Sequence, residues 1–270
     1  MVVGKLEKVL KYDMAKIRAT KPLIHHITNY VAMNDSANAT LAIGASPIMA
    51  HAHGELREIV SAASALLINI GTLDDYWIQG MFIACEFAEG KIPILLDPVG
   101  AGATELRTMT AQQILSRFKI SVVKGNYGEI MGLMGEGNAV KGVDSLDVDL
   151  QKVANAVKEF ALLHSTVAVA TGEVDLFSDG KDIYILRNGT EKLGKITASG
   201  CMLGSIMASF LAVQKDHLIA AIEGAAVYEI AGEIAGEKAT EGGSFRIALI
   251  DSLSAITPEA VMERINLEKI

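Results

Sequence analysis

Short, nearly all-apolar runs alternate along this chain with longer stretches whose apolar positions recur every three or four residues. The runs Leu23 to Ile27, Ser46 to Met49, Ala65 to Ile70, Ile92 to Leu96, Ser121 to Val123 and Thr166 to Ala170 read as strands. They lack a polar face, which predicts strands covered on both sides. Between them, Tyr30 to Ile43, Glu55 to Ala62, Asp74 to Glu89, Thr110 to Arg117 and Asp149 to Leu163 read as helices. Strand followed by helix, repeated, predicts an α/β fold with a mostly parallel central sheet and helices on both faces. Met1 to Arg18 mixes Lys, Glu and apolar residues at helical spacing, without the continuous apolar core of a signal peptide.

The pattern then changes. Val174 to Phe177 and Ile183 to Leu186, joined through Asp179-Gly180, predict a hairpin. After Cys201 the spacing is helical to the end. No linker, repeat or low-complexity tract interrupts the chain, so residues 1–270 are expected to form one domain. In open α/β sheets ligands bind beyond the C-terminal ends of the strands. The segments expected there carry Asn29, Met49, Asp97-Pro98-Val99-Gly100, Lys124-Gly125-Asn126 and Thr171-Gly172.

Charge and composition narrow the function. The net charge is −8 with no basic cluster, which argues against nucleic acid. No apolar run reaches 18 residues, so no membrane span is expected. Two cysteines, Cys85 and Cys201, form no disulfide framework and suit a reducing cytoplasm. Cys85 sits in an apolar helical pattern and reads as a small core residue. The six histidines show no metal-binding spacing: His25 and His26 are adjacent, and His51 and His53 read as loop residues.

The segment Thr197-Ala198-Ser199-Gly200-Cys201, followed by Met202-Leu203-Gly204-Ser205-Ile206-Met207, carries the most chemistry. Small residues permit a sharp bend, and the helix opening there would present unpaired N–H groups and a positive dipole end to an anion. Cys201 stands at that mouth, where a thiolate is stabilised and a base can take a hydroxyl proton. Asp97 closes an apolar run, either as a turn residue with Pro98 or as a carboxylate for a hard cation such as magnesium. Asn126 and Glu129 have the spacing of a capping box, and Glu129 is equally placed to hold a metal through water. Lys124 offers a point charge to a phosphate, and Thr171 a hydroxyl. Met49 suits a pocket for a small ring, although a core is the commoner place for methionine.

Several of these segments together resemble the hydroxyethylthiazole kinase family. They are Pro22 to Val31, Gly44 to Ala50, Leu96 to Gly100, Lys124-Gly125-Asn126 with Glu129, Thr171-Gly172, the Gly200-Cys201 turn and Gly243-Ser244-Phe245-Arg246. The resemblance implies a ribokinase-like fold and phosphorylation of 4-methyl-5-(2-hydroxyethyl)thiazole with ATP and Mg2+ in thiamine salvage. It further implies a homotrimer with active sites at subunit contacts. By position it places Met49 and Ala198 at the thiazole, Lys124 and Thr171 at ATP, and Asp97 and Glu129 near magnesium. Cys201 stands where related sugar kinases carry a catalytic aspartate. The family commonly has arginine at Lys124 and glycine at Ala198. Lysine lacks the bidentate fork, and alanine is strained if the backbone needs positive φ. The competing functions are a hydroxymethylpyrimidine kinase, a nucleotide hydro-lyase of the same fold and a catalytically silent nucleotide-binding module.

Overall fold

The computed structural model describes residues 2–135 and 150–270. Its strands join one nine-stranded sheet in the order β2-β1-β3-β4-β5-β6-β7-β8-β9. Strands β1 (Leu23–Ile27), β2 (Ser46–Ile48), β3 (Ala65–Asn69), β4 (Ile94–Asp97), β5 (Val122–Asn126) and β6 (Val167–Thr171) run parallel. The antiparallel strands β7 (Asp175–Ser178) and β8 (Ile183–Leu186) extend the sheet as a hairpin. Gly180, at φ +86°, supplies its left-handed turn residue. A short last strand, β9 (Leu267–Lys269), pairs with β8. Apolar counting missed it, because an edge strand of three residues with two exposed charges buries too little to leave a pattern.

The helices are α1 (Val2–Thr20), α2 (Met33–Ala42), α3 (Leu56–Ala62), α4 (Asp75–Ala88), α5 (Glu105–Arg117), α6 (Tyr127–Leu133), α7 (Leu150–His164), α8 (Ser199–Leu211), α9 (His217–Lys238), α10 (Gly242–Ala255) and α11 (Pro258–Arg264). Asp149, the expected first residue of α7, lies outside the described residues, as does Met1. Alternate strand residues serve two cores, one on each face. Leu67 and Leu95 join α1, α2, α8, α9 and α10. Leu66, Ile68, Ile94 and Leu96 join Trp77, Met81 and Cys85 of α4, with α5, α6 and α7. This two-sided cover is why the central strands carry no polar alternation.

The strand ends differ instructively from expectation. Strand β5 runs on through Lys124 to Asn126 and β6 through Thr171, their ladders pairing Lys124 with Val169 and Asn126 with Thr171. These polar residues therefore belong to the sheet rather than to loops. Helix α5 begins at Glu105, where Thr104 caps it, not at Thr110; its first turn holds one apolar residue, the exposed Leu106, and leaves no core-facing periodicity. Helix α2 starts at Met33 rather than Tyr30, because Asn29 folds the chain into a turn that bonds Ala32 N–H to its own carbonyl at 3.1 Å and to its Oδ1 at 3.0 Å.

Candidate active site

Five parallel strands bring polar side chains to one edge of the sheet. Asn29 follows β1, while Asn69, Asp97, Asn126 and Thr171 close β3, β4, β5 and β6. Helix α8 aims its N-terminus at that edge. Ala198 caps it in the left-handed region, at φ 64° and ψ 6°, without a side-chain bond. This settles the local geometry of the small-residue bend: it needs positive φ, and alanine accepts the strain there. The first helical bond is Met202 N–H to Ala198 O at 2.8 Å, so the amides of Ser199, Gly200 and Cys201 precede the ladder. All three residues line a cavity of about 800 Å3 that also meets Asp97, Lys124 and Thr171.

Beneath the helix mouth lies a buried ion pair. Lys124 Nζ donates to Asp97 Oδ2 at 3.0 Å and to the Gly200 carbonyl at 2.9 Å, with both side chains almost wholly buried. Burial alone would lower the Lys124 ammonium, but the charges of Asp97, Cys201 and Glu129 hold it above its ordinary value. Burial pushes Asp97 up to about 6 against the pull of Lys124 and the bond from Asn69, with the charge of Glu129 adding to the rise. Asp97 Oδ1 is buried with no hydrogen-bond partner among the described residues. An orphaned buried carboxylate oxygen beside a cavity is a position for a ligand.

Glu129 does what the capping-box spacing predicts. Its Oε2 accepts Asn126 N–H at 2.7 Å, while Asn126 Oδ1 accepts Glu129 N–H at 2.8 Å. Its Oε1 also accepts Gly100 N–H at 2.8 Å, tying the loop after β4 to α6. Each oxygen keeps a further lone pair, so capping and cation binding are compatible. Gly125 makes room for this carboxylate: a Cβ there would lie 3.1 Å from Oε2. Thr171 Oγ1 donates to the Gly125 carbonyl at 3.3 Å.

Cys201 Sγ accepts two amide donors, Asn69 Nδ2 at 3.2 Å and Asn29 Nδ2 at 3.4 Å. Burial and the Asp97 charge raise its thiol, while Lys124 and the two asparagines oppose that rise. Asn29 is thus more than a turn-former. Asn69 does not stand out by apolar spacing; the available signal was a single amide near the end of an otherwise apolar run, and the structure buries it fully. Arg107, also missed, clamps the strand-end loops through Gly71 O at 2.8 Å and Val99 O at 3.3 Å.

The site gathers Cys201, Ala198, Lys124, Thr171, Asp97 and Glu129 at one cavity, but not Met49. Met49 follows β2 at the far edge of the sheet, half-buried. There the turn after β1 carries exposed Tyr30 and Val31, and His51 stacks on Trp77 of α4 at 4.6 Å. His51 and His53 lie in a loop as expected, with His53 stacked on Tyr76 at 3.9 Å. Cys85 is wholly buried, and burial drives its thiol far above the ordinary range.

The residues present fit magnesium in one manner only. Among the described residues no three His, Cys, Asp or Glu side chains form a metal cage. The orphaned Asp97 oxygen and the half-used Glu129 carboxylate instead match a cation that takes one or two carboxylates and completes its shell with water and phosphate. Among the described residues no helix is long and apolar enough to cross a membrane.

The Hydroxyethylthiazole kinase family model matches residues 14–259. A hydroxyethylthiazole kinase of Archaeoglobus fulgidus is 56% identical over 100% of both chains. The solved hydroxyethylthiazole kinase of Pyrococcus horikoshii superposes with a TM-score of 0.90 at 40% identity, covering 97% of this chain and 99% of that one. At the level of fold alone, an ADP/ATP-dependent NAD(P)H-hydrate dehydratase of Bacillus subtilis matches with a TM-score of 0.58 at 14% identity, over 88% and 91% of the two chains.

Proposed function

Because this chain belongs to the hydroxyethylthiazole kinase family, we propose that it transfers the γ-phosphoryl group of ATP to the hydroxyl of 4-methyl-5-(2-hydroxyethyl)thiazole through the cavity at the α8 N-terminus. The observation that carries this site is the convergence of the free α8 amides, the Lys124–Asp97 pair and the Cys201 sulfur on one opening. Phosphoryl transfer is governed by positioning and charge stabilisation. The amides of Ser199, Gly200 and Cys201 point an aligned set of donors at the moving phosphoryl group. They act in a place walled by protein, where such donors are worth most. Lys124 holds the Gly200 carbonyl and so fixes the bend that presents them.

Asp97 and Glu129 would hold magnesium, which supplies charge neutralisation across the phosphates. That reading is supported by the cavity itself: among the described residues, Asp97, Glu129, Glu173, Asp175, Glu191 and Glu229 line it against Lys124 and Arg187 as cationic side chains. Burial pushes Asp175 up to about 7, against a bond from Gly172 N–H and the Lys124 charge. A polyphosphate entering so acidic a cavity needs a cation with it. Thr171 meets the nucleotide from the end of β6. Cys201 takes the hydroxyl proton in its thiolate form, which the Lys124 charge and the two asparagine amides favour, and contributes modestly because burial keeps that form scarce and a loose transition state leaves the nucleophile protonated until late.

Ala198 contacts the thiazole from the bend. Met49 does so from the β2 edge in a homotrimer with sites between subunits, an arrangement that also covers the exposed Tyr30 and Val31. The enzyme works in the cytoplasm as one domain.

The test is to mix the protein with magnesium-ATP and a panel of thiazole, pyrimidine and sugar alcohols and to weigh the products. The thiazole phosphate is expected. A phosphorylated pyrimidine in its place, or nucleotide consumed with no phosphorylated alcohol, overturns the assignment.

A further inference from the structure

Two asparagines stand between the carboxylate and the sulfur of the proposed reaction, and their orientation is determined by backbone groups that can only donate. Gly71 N–H donates to Asn69 Oδ1 at 3.0 Å, and Ala32 N–H to Asn29 Oδ1 at 3.0 Å. Each oxygen is thereby identified, and each NH2 group must face the other way. The two hydrogens of Asn69 Nδ2 go to Asp97 Oδ2 at 2.8 Å and Cys201 Sγ at 3.2 Å. Those of Asn29 Nδ2 go to Asn69 Oδ1 at 2.7 Å and the same Sγ at 3.4 Å. Every hydrogen of both amides is used, and Asn69 is fully buried.

Resting on the kinase reading above, we propose that Asn69 is the positioning residue of this site: one amide that locks Asp97 to Cys201 and directs the working face of the sulfur into the cavity. The valence of sulfur carries the step. A thiol sulfur has one bond to carbon, one to hydrogen and two lone pairs. With both lone pairs accepting from Asn69 and Asn29, the S–H bond takes the remaining direction. After proton loss, the third lone pair takes that same direction. Cys201 lines the cavity, so this direction faces the acceptor hydroxyl. Asn69 at the same time holds Asp97 Oδ2 together with Lys124. Oδ1, the oxygen without a partner, is left as the one available to a ligand. These bonds explain why an amide, rather than a carboxylate or an apolar group, ends β3. Only an amide donates in two directions and accepts in a third. Close approach is required as well: a Cβ on Gly71 would come within 2.7 Å of Asn29 Nδ2.

The test is a double-mutant cycle on turnover, with Asn69→Leu and Cys201→Ala made singly and together in the full chain. Asn69→Ser, smaller and still polar, is made in parallel in case the leucine variant does not fold. Asn69 substitution is expected to lower kcat on the order of 10-fold to 100-fold, as loss of a supporting residue commonly does. KM for ATP should stay within about threefold, because the loss falls on geometry in the transition state. In the Cys201→Ala background the same substitution should lose much less, since two groups acting as one unit are not additive.

Equal losses in both backgrounds, or a loss confined to KM, overturns the positioning role. A second readout needs no turnover: Cys201→Ala should shift the side-chain amide proton resonances of both Asn69 and Asn29. Amide resonances indifferent to the sulfur refute the bonds themselves, whatever reaction the protein performs. If the amides respond but no thiazole phosphate forms from the unaltered protein, the kinase reading fails while the bonding stands; the role in turnover then falls with that reading.

Discussion

Replacing Lys124 with methionine should destabilise the protein by an amount that depends on pH, and the structure sets both sign and size. The substitution keeps most of the apolar stem but removes the ammonium, leaving the Asp97 carboxylate without its cation and the Gly200 carbonyl without its donor inside the protein. An unpaired buried carboxylate takes up a proton rather than remain charged. Asp97 already sits near 6, above its ordinary 3.8. Without Lys124 it rises further, so at pH 7 the native variant holds a proton that its unfolded chain has released. Holding that proton costs about 1.4 kcal/mol for each pH unit above the ordinary value, or about 4 kcal/mol at pH 7. About 3 kcal/mol of this is already present in the wild type as the cost of its raised carboxyl. The carboxyl therefore accounts for only about 1 kcal/mol of the difference at pH 7, and the unpaired carbonyl adds about 1 to 3 kcal/mol.

The total expected at pH 7 is about 2 to 4 kcal/mol. The sign follows from proton counting: above pH 6 the variant's native state binds one more proton than its unfolded state, so its stability falls as pH rises. The wild-type Asp97 is by then ionised in both states and adds no slope. The gap should therefore widen by about 1.4 kcal/mol per unit from pH 6 upward, until the variant's own carboxyl ionises. Urea denaturation midpoints at pH 5.5, 6.5 and 7.5 measure it, with Lys124→Met/Asp97→Asn as the control that abolishes the slope. A penalty equal at all three pH values, or a control that retains the slope, would refute the account of this pair.

Two further outcomes follow from strained or buried groups elsewhere. Ala198→Gly relieves a left-handed alanine, worth about 1 to 2 kcal/mol, against the roughly 0.4 to 1 kcal/mol that glycine adds to the freedom of the unfolded chain. A gain of up to about 1 kcal/mol should raise the thermal midpoint by about 2 to 4 °C, whereas Ala198→Val should lower it; a destabilised glycine variant would contradict the strain. Glu223, wholly buried in α9 beside the Asp13 carboxyl, is pushed up to about 9 by burial, then by the Asp13 charge and a hydrogen bond with Asp13. A carboxyl so raised costs nothing below its ordinary 4.5 and erodes stability as pH climbs from there toward 9. Glu223→Gln should therefore match wild type near pH 4.5 and exceed it by as much as about 3 to 4 kcal/mol at pH 7; equal denaturation midpoints at both pH values would show that the carboxyl is not held neutral.

The alternation of strands and helices was legible in the chain itself because burial leaves a periodic mark. Central parallel strands covered on both faces must be mostly apolar along their length, and the runs through β3, β4, β5 and β6 are, up to their polar ends. The capping box at Asn126 and Glu129, the helix mouth before Cys201 and the hairpin at Gly180 were legible for the same kind of reason: each is a local device of a few adjacent residues. Periodicity fell short where a strand end is polar. It stopped at Val123 and Ala170, though Lys124 and Thr171 continue the ladders, and it passed over Asn69 as one more buried position.

What only the tertiary structure decided is which distant groups meet. Asn29 and Cys201 are 172 residues apart, and Lys124 and Gly200 are 76 apart. Their contact depends on strand order and on where α8 crosses the sheet, and neither is written in spacing. The left-handed turn at Ala198, the separation of Met49 from the cavity within one chain and the free oxygen of Asp97 belong to the same class. A residue's own type sets the bonds it can make; the fold sets which partners come near enough to make them.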